Sequence, residues 1–140
     1  MNLDLSGKTA LVSGGARGIG AAISRGLCAA GAKVVINFNR SGEKAEKIRD
    51  ELRSEGFEAE IFQADVSEPA QVDRLFEFIK SSAGQLDILV NNAGVIRDTS
   101  NCVAIIRRGR MRTGNCSGLD RSAIQSQCAP WSSAIPRSTE

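Results

Sequence analysis

Three glycines near the amino terminus have the spacing of a phosphate-binding turn. Gly14, Gly18 and Gly20 lie in the run KTALVSGGARGIG (8–20), where a short apolar segment leads directly into a helical pattern. A strand, a glycine turn and a helix start let backbone N–H groups approach a phosphate, and the helix terminus adds about half a positive charge. A Cβ would block that approach or forbid a positive φ. The run therefore predicts nucleotide binding, with a ligand-free tight turn as the alternative.

The residues after the second apolar segment indicate which nucleotide this is. The segment KVVINF (33–38) is followed by Asn39, Arg40 and Ser41, and none of them is a carboxylate that could bond the ribose 2′-hydroxyl of NAD. Arg17 in the glycine turn and Arg40 supply the pair of cations that a 2′-phosphate needs. We therefore expect NADP in preference to NAD, and the competing interpretation is a solvated Arg40.

A further candidate is the pair Asp65 and Val66, which follows a third apolar segment (58–63). A short acid at a strand end can accept a hydrogen bond from the adenine amino group, while an apolar neighbour supports the ring. The competing interpretation is an acid in the turn before a helix that Ser67 caps. The residues alone leave both roles open, and a resemblance to a known family at these two positions favours the adenine role.

Alternating strands and helices are expected to position these candidates. The apolar segments predict strands at 9–12, 33–38, 58–63 and 86–90, with a helix after each of the first three. Gly31 and Gly84 are expected to end the first and third helices, and Ser41 to cap the second. The first helix is expected to turn one apolar stripe inward, made of Ile19, Ala22, Ile23, Gly26, Leu27 and Ala30.

Such alternation implies right-handed βαβ units and a parallel sheet. Because the glycine turn follows the first strand, the strand order should be 3-2-1-4, with a cofactor crevice at the carboxyl edge between strands one and four. The predicted fold class is α/β, a partial doubly wound, Rossmann-like sheet followed by an irregular C-terminal tail.

These motifs resemble those of the short-chain dehydrogenases/reductases. That family's glycine motif is Thr-Gly-x-x-x-Gly-x-Gly, with Ser13 here in place of the threonine, and Asn91-Asn92-Ala93-Gly94 follows the fourth strand. The resemblance runs from Leu5 to about Asp98 and in NNAGVIRDT is closest to 3-oxoacyl-(acyl-carrier-protein) reductases. It implies that the Asn-Asn-Ala-Gly stretch lines the cofactor ribose and ties the central strands. The candidate cofactor-binding residues are Ser13, Gly14, Arg17, Gly18, Ile19, Gly20, Asn39, Arg40, Ser41, Asp65, Val66, Asn91, Ala93 and Gly94.

The resemblance also implies catalytic groups that this chain does not have. In the family, a tyrosine beside a lysine polarises a ketone that accepts the hydride, with a serine and an asparagine assisting. The chain has no tyrosine and no histidine, and no lysine follows Lys80. No catalytic residue is therefore predicted. The ancestral activity would be NADPH-dependent carbonyl reduction, and the chain is expected to be a truncated, N-terminal half that is inactive alone.

The chain changes character after about Asp98. Residues 1–98 carry a net charge of −2, whereas residues 99–140 carry +4 with six arginines and no lysine. No helical or alternating period is sustained there, so the second part (99–140) is expected to be irregular and the fourth strand to be an unprotected edge. We attribute this tail to a shifted reading frame or an alternative splice, which the transcript sequence would test.

The tail leaves a second class of function open. A basic cluster formed by Arg107, Arg108, Arg110 and Arg112 is of the kind that meets acidic surfaces. No aromatic side chain is interleaved with it, so nucleic acid is not the expected partner. The alternative is a non-catalytic interaction protein that self-associates, pairs with full-length relatives through its free strand, or uses the tail on an acidic partner. A third possibility is a chain that does not fold stably.

Composition excludes several other classes. Three of the four cysteines, Cys102, Cys116 and Cys128, lie in the tail, and without a CxxC pair or any histidine they predict free thiols rather than a disulfide framework or a zinc site. No apolar run approaches membrane-spanning length, and no charged-then-apolar leader precedes the first strand. A cytoplasmic location is expected.

Overall fold

Strands and helices alternate along the chain. The computed structural model describes residues 3–92, 102–107 and 110–113, and for the last two ranges only the backbone. In chain order the elements are β1 (Thr9–Val12), α1 (Gly18–Ala29), β2 (Lys33–Phe38), α2 (Gly42–Ser54), β3 (Ala59–Gln63), α3 (Pro69–Ala83), β4 (Ile88–Asn91), β5 (Cys102–Arg107) and β6 (Arg110–Thr113). β1 and β2 have the predicted bounds, whereas β3 and β4 begin slightly later than predicted.

The strands form one sheet in the order β3-β2-β1-β4-β5-β6. β1 lies between β2 and β4, and these pairs and the β2–β3 pair are parallel. The predicted order 3-2-1-4 and the Rossmann-like α/β architecture are confirmed. The carboxyl ends of β1 to β4 therefore meet at one edge of the sheet, which is the edge that carries the candidate residues.

The prediction that the fourth strand is an unprotected edge is wrong. β5 pairs antiparallel with β4, with Leu89 opposite Ala104, and β6 pairs antiparallel with β5. The run from Cys102 to Ile106 is apolar without alternation. A test for a period of two does not detect this strand, because that test finds only strands whose sequence alternates between apolar and polar residues. Two strands thus lie within 99–140, and the rest of that range is outside the described residues.

The core lies on both faces of the sheet. On one face, α1 and α2 cover the even-numbered positions of β1 and β2, including Val12 and Ile36. On the other face, Val72, Leu75 and Ile79 of α3 pack on the odd-numbered positions of the same strands and on β4. β1 and β2 are buried on both faces, so their sequences are almost continuously apolar.

The buried face of α1 differs from the predicted stripe. The helix buries its small residues Gly20, Ser24 and Cys28, which lie four residues apart. Ile19 is 64% exposed, and Ala22 and Gly26 are also exposed; of the predicted stripe, Ile23 and Leu27 pack partly against the core. The helix lies so close to the glycine turn that only small side chains fit between them, and apolarity alone does not reveal this.

The predicted glycines end their helices, whereas the predicted serine caps do not form. Gly31 and Gly84 have positive φ values of 96° and 81°, as residues that terminate helices do. Ser41 occupies the capping position of α2, yet its side chain makes no capping hydrogen bond. The capping position of α3 is occupied by Glu68 and not by Ser67, and no side chain makes a capping hydrogen bond there. Among the described residues, no helix is both long and apolar enough to cross a membrane.

Candidate functional site

The glycine turn joins β1 to α1 in a conformation that ordinary residues rarely adopt. Gly14 and Gly18 have φ values of 62° and 56°. Gly20 has a different reason to be glycine, because a Cβ there would collide with Gly14 O and with Asn92 Nδ2. The first turn of α1 consequently packs directly on the backbone of the loop. Each of the three predicted glycines therefore has a physical role in shaping this turn.

The start of α1 presents uncapped N–H groups. The first N–H groups of a helix have no acceptor within the helix. No side chain caps α1, and no acidic residue occupies its first turn. Arg17, in an extended conformation just before the helix, is exposed, as are Gly18 and Ile19. The positive end of the helix dipole, the uncapped N–H groups of α1 and the Arg17 cation therefore lie together. This is the arrangement that binds a phosphate group.

Ser13 and Asn92 hold the turn against β4. The Ser13 side chain is fully buried; its hydroxyl donates to Val90 O at 3.3 Å and accepts the Asn92 N–H at 2.9 Å. Asn92 Nδ2 in turn donates to Gly14 O at 3.2 Å. Ser13 is one of the predicted cofactor-binding residues, and its hydroxyl joins the end of β1 to the end of β4.

The side chains of Asn91 and Asn92 contact different parts of the site. Asn91 is 6% exposed, and its Oδ1 lies 3.4 Å from the Ser13 hydroxyl. Asn92, which was not among the predicted site residues, is the residue that contacts the glycine turn. The repeated asparagine was visible in the sequence, but which amide reaches the turn depends on the register of β4. Ala93 and Gly94, also predicted, lie outside the described residues.

The segment after β2 lies beside the segment after β3. Asn39 and Arg40 are exposed and Ser41 is half-buried. Gln63 Nε2 donates to Asn39 O at 2.9 Å, which fixes the exit of β2 against the end of β3. Arg40 is thus on the same edge of the sheet as the glycine turn, and no acid lies between positions 37 and 41.

Asp65 is engaged in its own turn. Its Oδ1 accepts the Ser67 hydroxyl at 2.6 Å and the Ser67 N–H at 2.9 Å. These bonds hold the pKa of the Asp65 carboxyl below its ordinary value, and Arg40 and Asn39 act in the same direction. Ser67 therefore serves this turn instead of capping α3. The Asp65 carboxylate thus stabilises the turn before α3. It also lies close enough to Arg40 to interact with that side chain, so it belongs to the candidate site.

Two more observations delimit the site. Val66 is half-buried and packs against the cluster that contains Val72, Leu75 and Ile79 of α3. A cavity of about 460 Å³ lies at the opposite, amino-terminal edge of the sheet, lined by residues such as Lys33, Phe57 and Ser82. None of the predicted site residues lines it. Within the described ranges no group of three or more Cys, Asp or Glu residues could hold a metal ion.

Asn37 of β2, which was not among the predicted site residues, also lies beside the glycine turn. Asn37, inside the apolar segment of β2, is 2% exposed. Its Nδ2 donates to Ala64 O at 3.0 Å, and its backbone O accepts the Gly15 N–H at 3.1 Å. A polar residue in an otherwise apolar strand was the signal that could have identified it.

Comparison with known proteins identifies the family to which this chain is similar. The family model described as short chain dehydrogenase matches residues 8–107. A versicolorin reductase of Emericella nidulans is 48% identical over 95 residues, which cover 68% of this chain and 36% of that protein. A probable tetrahydroxynaphthalene reductase of Zymoseptoria tritici is 49% identical over 92 residues, which cover 66% of this chain and 34% of that protein. The chain spans about a third of the length of these relatives.

Solved structures with bound cofactor share the fold. A metagenomic short-chain oxidoreductase in complex with NADP has a TM-score of 0.62 and 42% identity, covering 65% of this chain and 41% of that one. A short chain dehydrogenase of Burkholderia cenocepacia, also in complex with NADP, has a TM-score of 0.64 and 35% identity, covering 93% and 47%. The family model matches well over half of the sequence and includes the glycine turn. This chain therefore belongs to the short-chain dehydrogenase/reductase family.

Proposed function

We propose that the chain binds NADP(H) at the carboxyl edge of its sheet, in preference to NAD(H). The observation that carries the proposal is the uncapped start of α1 between two exposed arginines, Arg17 and Arg40, with no acid at the end of β2. The pyrophosphate would lie on the N–H groups of α1. The 2′-phosphate would lie at Arg40. An acid in place of Asn39 would repel that phosphate. The NADP complexes among the structural neighbours support this choice.

We further propose that the 140-residue chain does not reduce a carbonyl on its own. Two relatives are named as a versicolorin reductase and a probable tetrahydroxynaphthalene reductase, and the resemblance in NNAGVIRDT points to a 3-oxoacyl type of carbonyl. Hydride transfer to a ketone requires an acid that protonates the oxygen. The chain has neither tyrosine nor histidine, so it lacks the residue type that fills this role in the family. Cytoplasm remains the predicted location.

The second candidate function is a non-catalytic interaction protein. β4 is paired, so this candidate no longer depends on a free β4 edge. The supporting observation is the β5–β6 register, in which Arg107 lies directly opposite Arg110. Like charges at such positions repel each other, and an acidic partner would relieve that repulsion. Co-purification of the chain with a full-length relative, or with an acidic protein that high salt displaces, would favour this candidate.

The cofactor proposal is tested by titrating the chain with NADPH and NADH and following nicotinamide fluorescence. We expect NADPH to bind about tenfold more tightly, the value of one charge-assisted bond. Arg40→Ala should remove that preference by weakening NADPH alone, whereas Lys44→Ala, an exposed cation on α2, should change neither affinity. Equal affinities for the two cofactors, or no binding at all, would refute the proposal.

The proposal of inactivity needs a separate assay. The chain with saturating NADPH and a 3-oxoacyl thioester or a hydroxynaphthalenone should show no NADPH oxidation above the uncatalysed rate. A full-length reductase of the family serves as the positive control. Turnover by the purified chain would show that another group supplies the proton.

A further inference from the structure

Asn37 is a buried polar residue at the meeting point of three segments of the site. It is 2% exposed and lies on the face of the sheet that α3 covers. Its amide donates to Ala64 O at 3.0 Å and to Phe62 O at 3.4 Å. Both partners are carbonyl oxygens, so the NH₂ group must face β3. The side chain therefore bridges β2 to the segment that leads out of β3.

The bridge acts where the backbone ladder ends. The last register pair between β2 and β3 is Phe38 with Gln63, and the Ala64 N–H still donates to Phe38 O at 2.9 Å. Beyond this point β2 has left the sheet, so it offers no further N–H to the ladder. The Asn37 side chain supplies the missing donor to Ala64 O, and Asp65 follows directly.

The same residue is joined to the glycine turn from the other side. Its backbone O accepts the Gly15 N–H at 3.1 Å, and Asn39 and Arg40 follow it by two and three residues. One residue thus links the pyrophosphate turn, the proposed 2′-phosphate cation and the adenine-side loop. A shift of the Ala64–Val66 loop relative to Arg40 would separate the two ends of the adenosine site.

We propose that Asn37 is a positioning residue, whose side-chain amide holds the Ala64–Val66 loop at the distance from Arg40 that the adenosine 2′-phosphate requires. This inference rests on the proposed function. Asn37 itself is buried, so the proposed role is exerted through the loop that its amide holds. The bond to Ala64 acts on this loop and the longer bond to Phe62 acts on the end of β3, so their loss should loosen the exit of β3 and leave β1, β2 and β4 paired.

The first experiment needs no cofactor. Asn37→Val keeps a strand-forming side chain and removes both N–H donors, while the control Ile36→Val removes one buried methylene from the opposite face of β2. We expect amide exchange at residues 64–66 to be about tenfold faster in Asn37→Val than in Ile36→Val, as for one lost buried bond. Equal exchange in the two variants would overturn the inference.

The second experiment measures the consequence for binding, with 2′,5′-ADP as the probe. Asn37→Val should bind it about tenfold more weakly than Ile36→Val, and both should bind inorganic pyrophosphate as the unaltered chain does. An equal loss for both probes would indicate a merely structural role and overturn the inference. If the unaltered chain binds neither probe, the proposed function fails, while the exchange experiment still decides whether Asn37 holds the loop.

A second variant guards against misfolding. Asn37→Ser has a hydroxyl that is too short to bridge to Ala64, and it introduces no side chain larger than the one it replaces. It should give the same faster exchange at residues 64–66. If both Asn37 variants are unfolded while Ile36→Val is folded, Asn37 serves overall stability and the positioning role is refuted.

Discussion

Gly20 and Gly26 lie on the same helix in opposite surroundings. A Cβ at Gly20 would collide with Gly14 O, whereas a Cβ at Gly26 would meet nothing within 4 Å. We expect Gly20→Ala to lower the free energy of unfolding by roughly 2 kcal/mol, since the turn must move away from α1. Gly26→Ala should raise it by roughly 0.5–1 kcal/mol through helix propensity. Urea unfolding of both variants measures the two effects.

The paired design separates close packing from helix propensity. Both substitutions are the same chemical change in one helix, so any difference comes from the contact with the glycine turn. NADPH affinity should fall in Gly20→Ala and stay unchanged in Gly26→Ala. A Gly20→Ala variant as stable as the unaltered chain would mean that the close approach of α1 to Gly14 does not exist in solution.

Cys28 is a second residue whose burial has a measurable consequence. It is 1% exposed, and burial, with a contribution from Glu55, raises its pKa from 9.0 to about 11. Below pH 9 the thiol is protonated in both the folded and the unfolded chain. Between pH 9 and 11 only the unfolded chain loses the proton, so the free energy of unfolding should fall as pH rises, by on the order of 2 kcal/mol.

The measurement compares the chain with Cys28→Ala by urea unfolding at about pH 8 and about pH 10.5. The lysines titrate in both proteins, so the difference between the two pH dependences isolates Cys28. We expect the variant to be less stable at the lower pH, because it leaves a small cavity, and to lose less stability at the higher pH. Parallel pH dependences would contradict the raised pKa.

At the scale of elements, the orientation of α1 makes a prediction that apolarity alone would reverse. Ala22 belongs to the apolar stripe expected from the sequence but is exposed, whereas the polar Ser24 is fully buried. The Ser24 hydroxyl donates to Gly20 O at 2.9 Å. Ala22→Gln should change the free energy of unfolding by less than about 0.5 kcal/mol. Ser24→Gln should destabilise the chain by at least about 2 kcal/mol, and thermal unfolding would rank the two.

The strands and the glycine turn could be predicted from the sequence because their signals are local. β2 is apolar because both its faces are buried, and the turn is revealed by glycines that follow each other in the chain. The face of α1 depends on how closely the helix approaches Gly14, and small residues such as Ser24 have no hydropathy signal for this. Asn37 and Asn92 act through bonds to Ala64 and Gly14, which are distant in sequence, so only the assembled sheet reveals them.

At the scale of the whole molecule, β4 is joined to β1 at both ends. The Asp87 carboxylate accepts the Thr9 N–H at 2.9 Å, and the Ser13 hydroxyl bonds the opposite end. The outer side of β4 is bonded to β5. The candidate site therefore depends on a strand whose two neighbours come from parts of the chain with different compositions, and loosening β5 should reach the glycine turn through β4.

That dependence can be tested with a proline in β5. Ala104 lies between Leu89 of β4 and Thr113 of β6, so its N–H belongs to one of the two ladders and Ala104→Pro removes it. We expect amide exchange to become at least about tenfold faster at residues 88–91 or 110–113, and to stay unchanged in β2 and β3. The control Ala104→Gly keeps the N–H and should cost only roughly 0.5–1 kcal/mol. If the proline alters exchange in neither range, β4 is an edge strand in solution, and the glycine turn is supported by β1 to β4 alone.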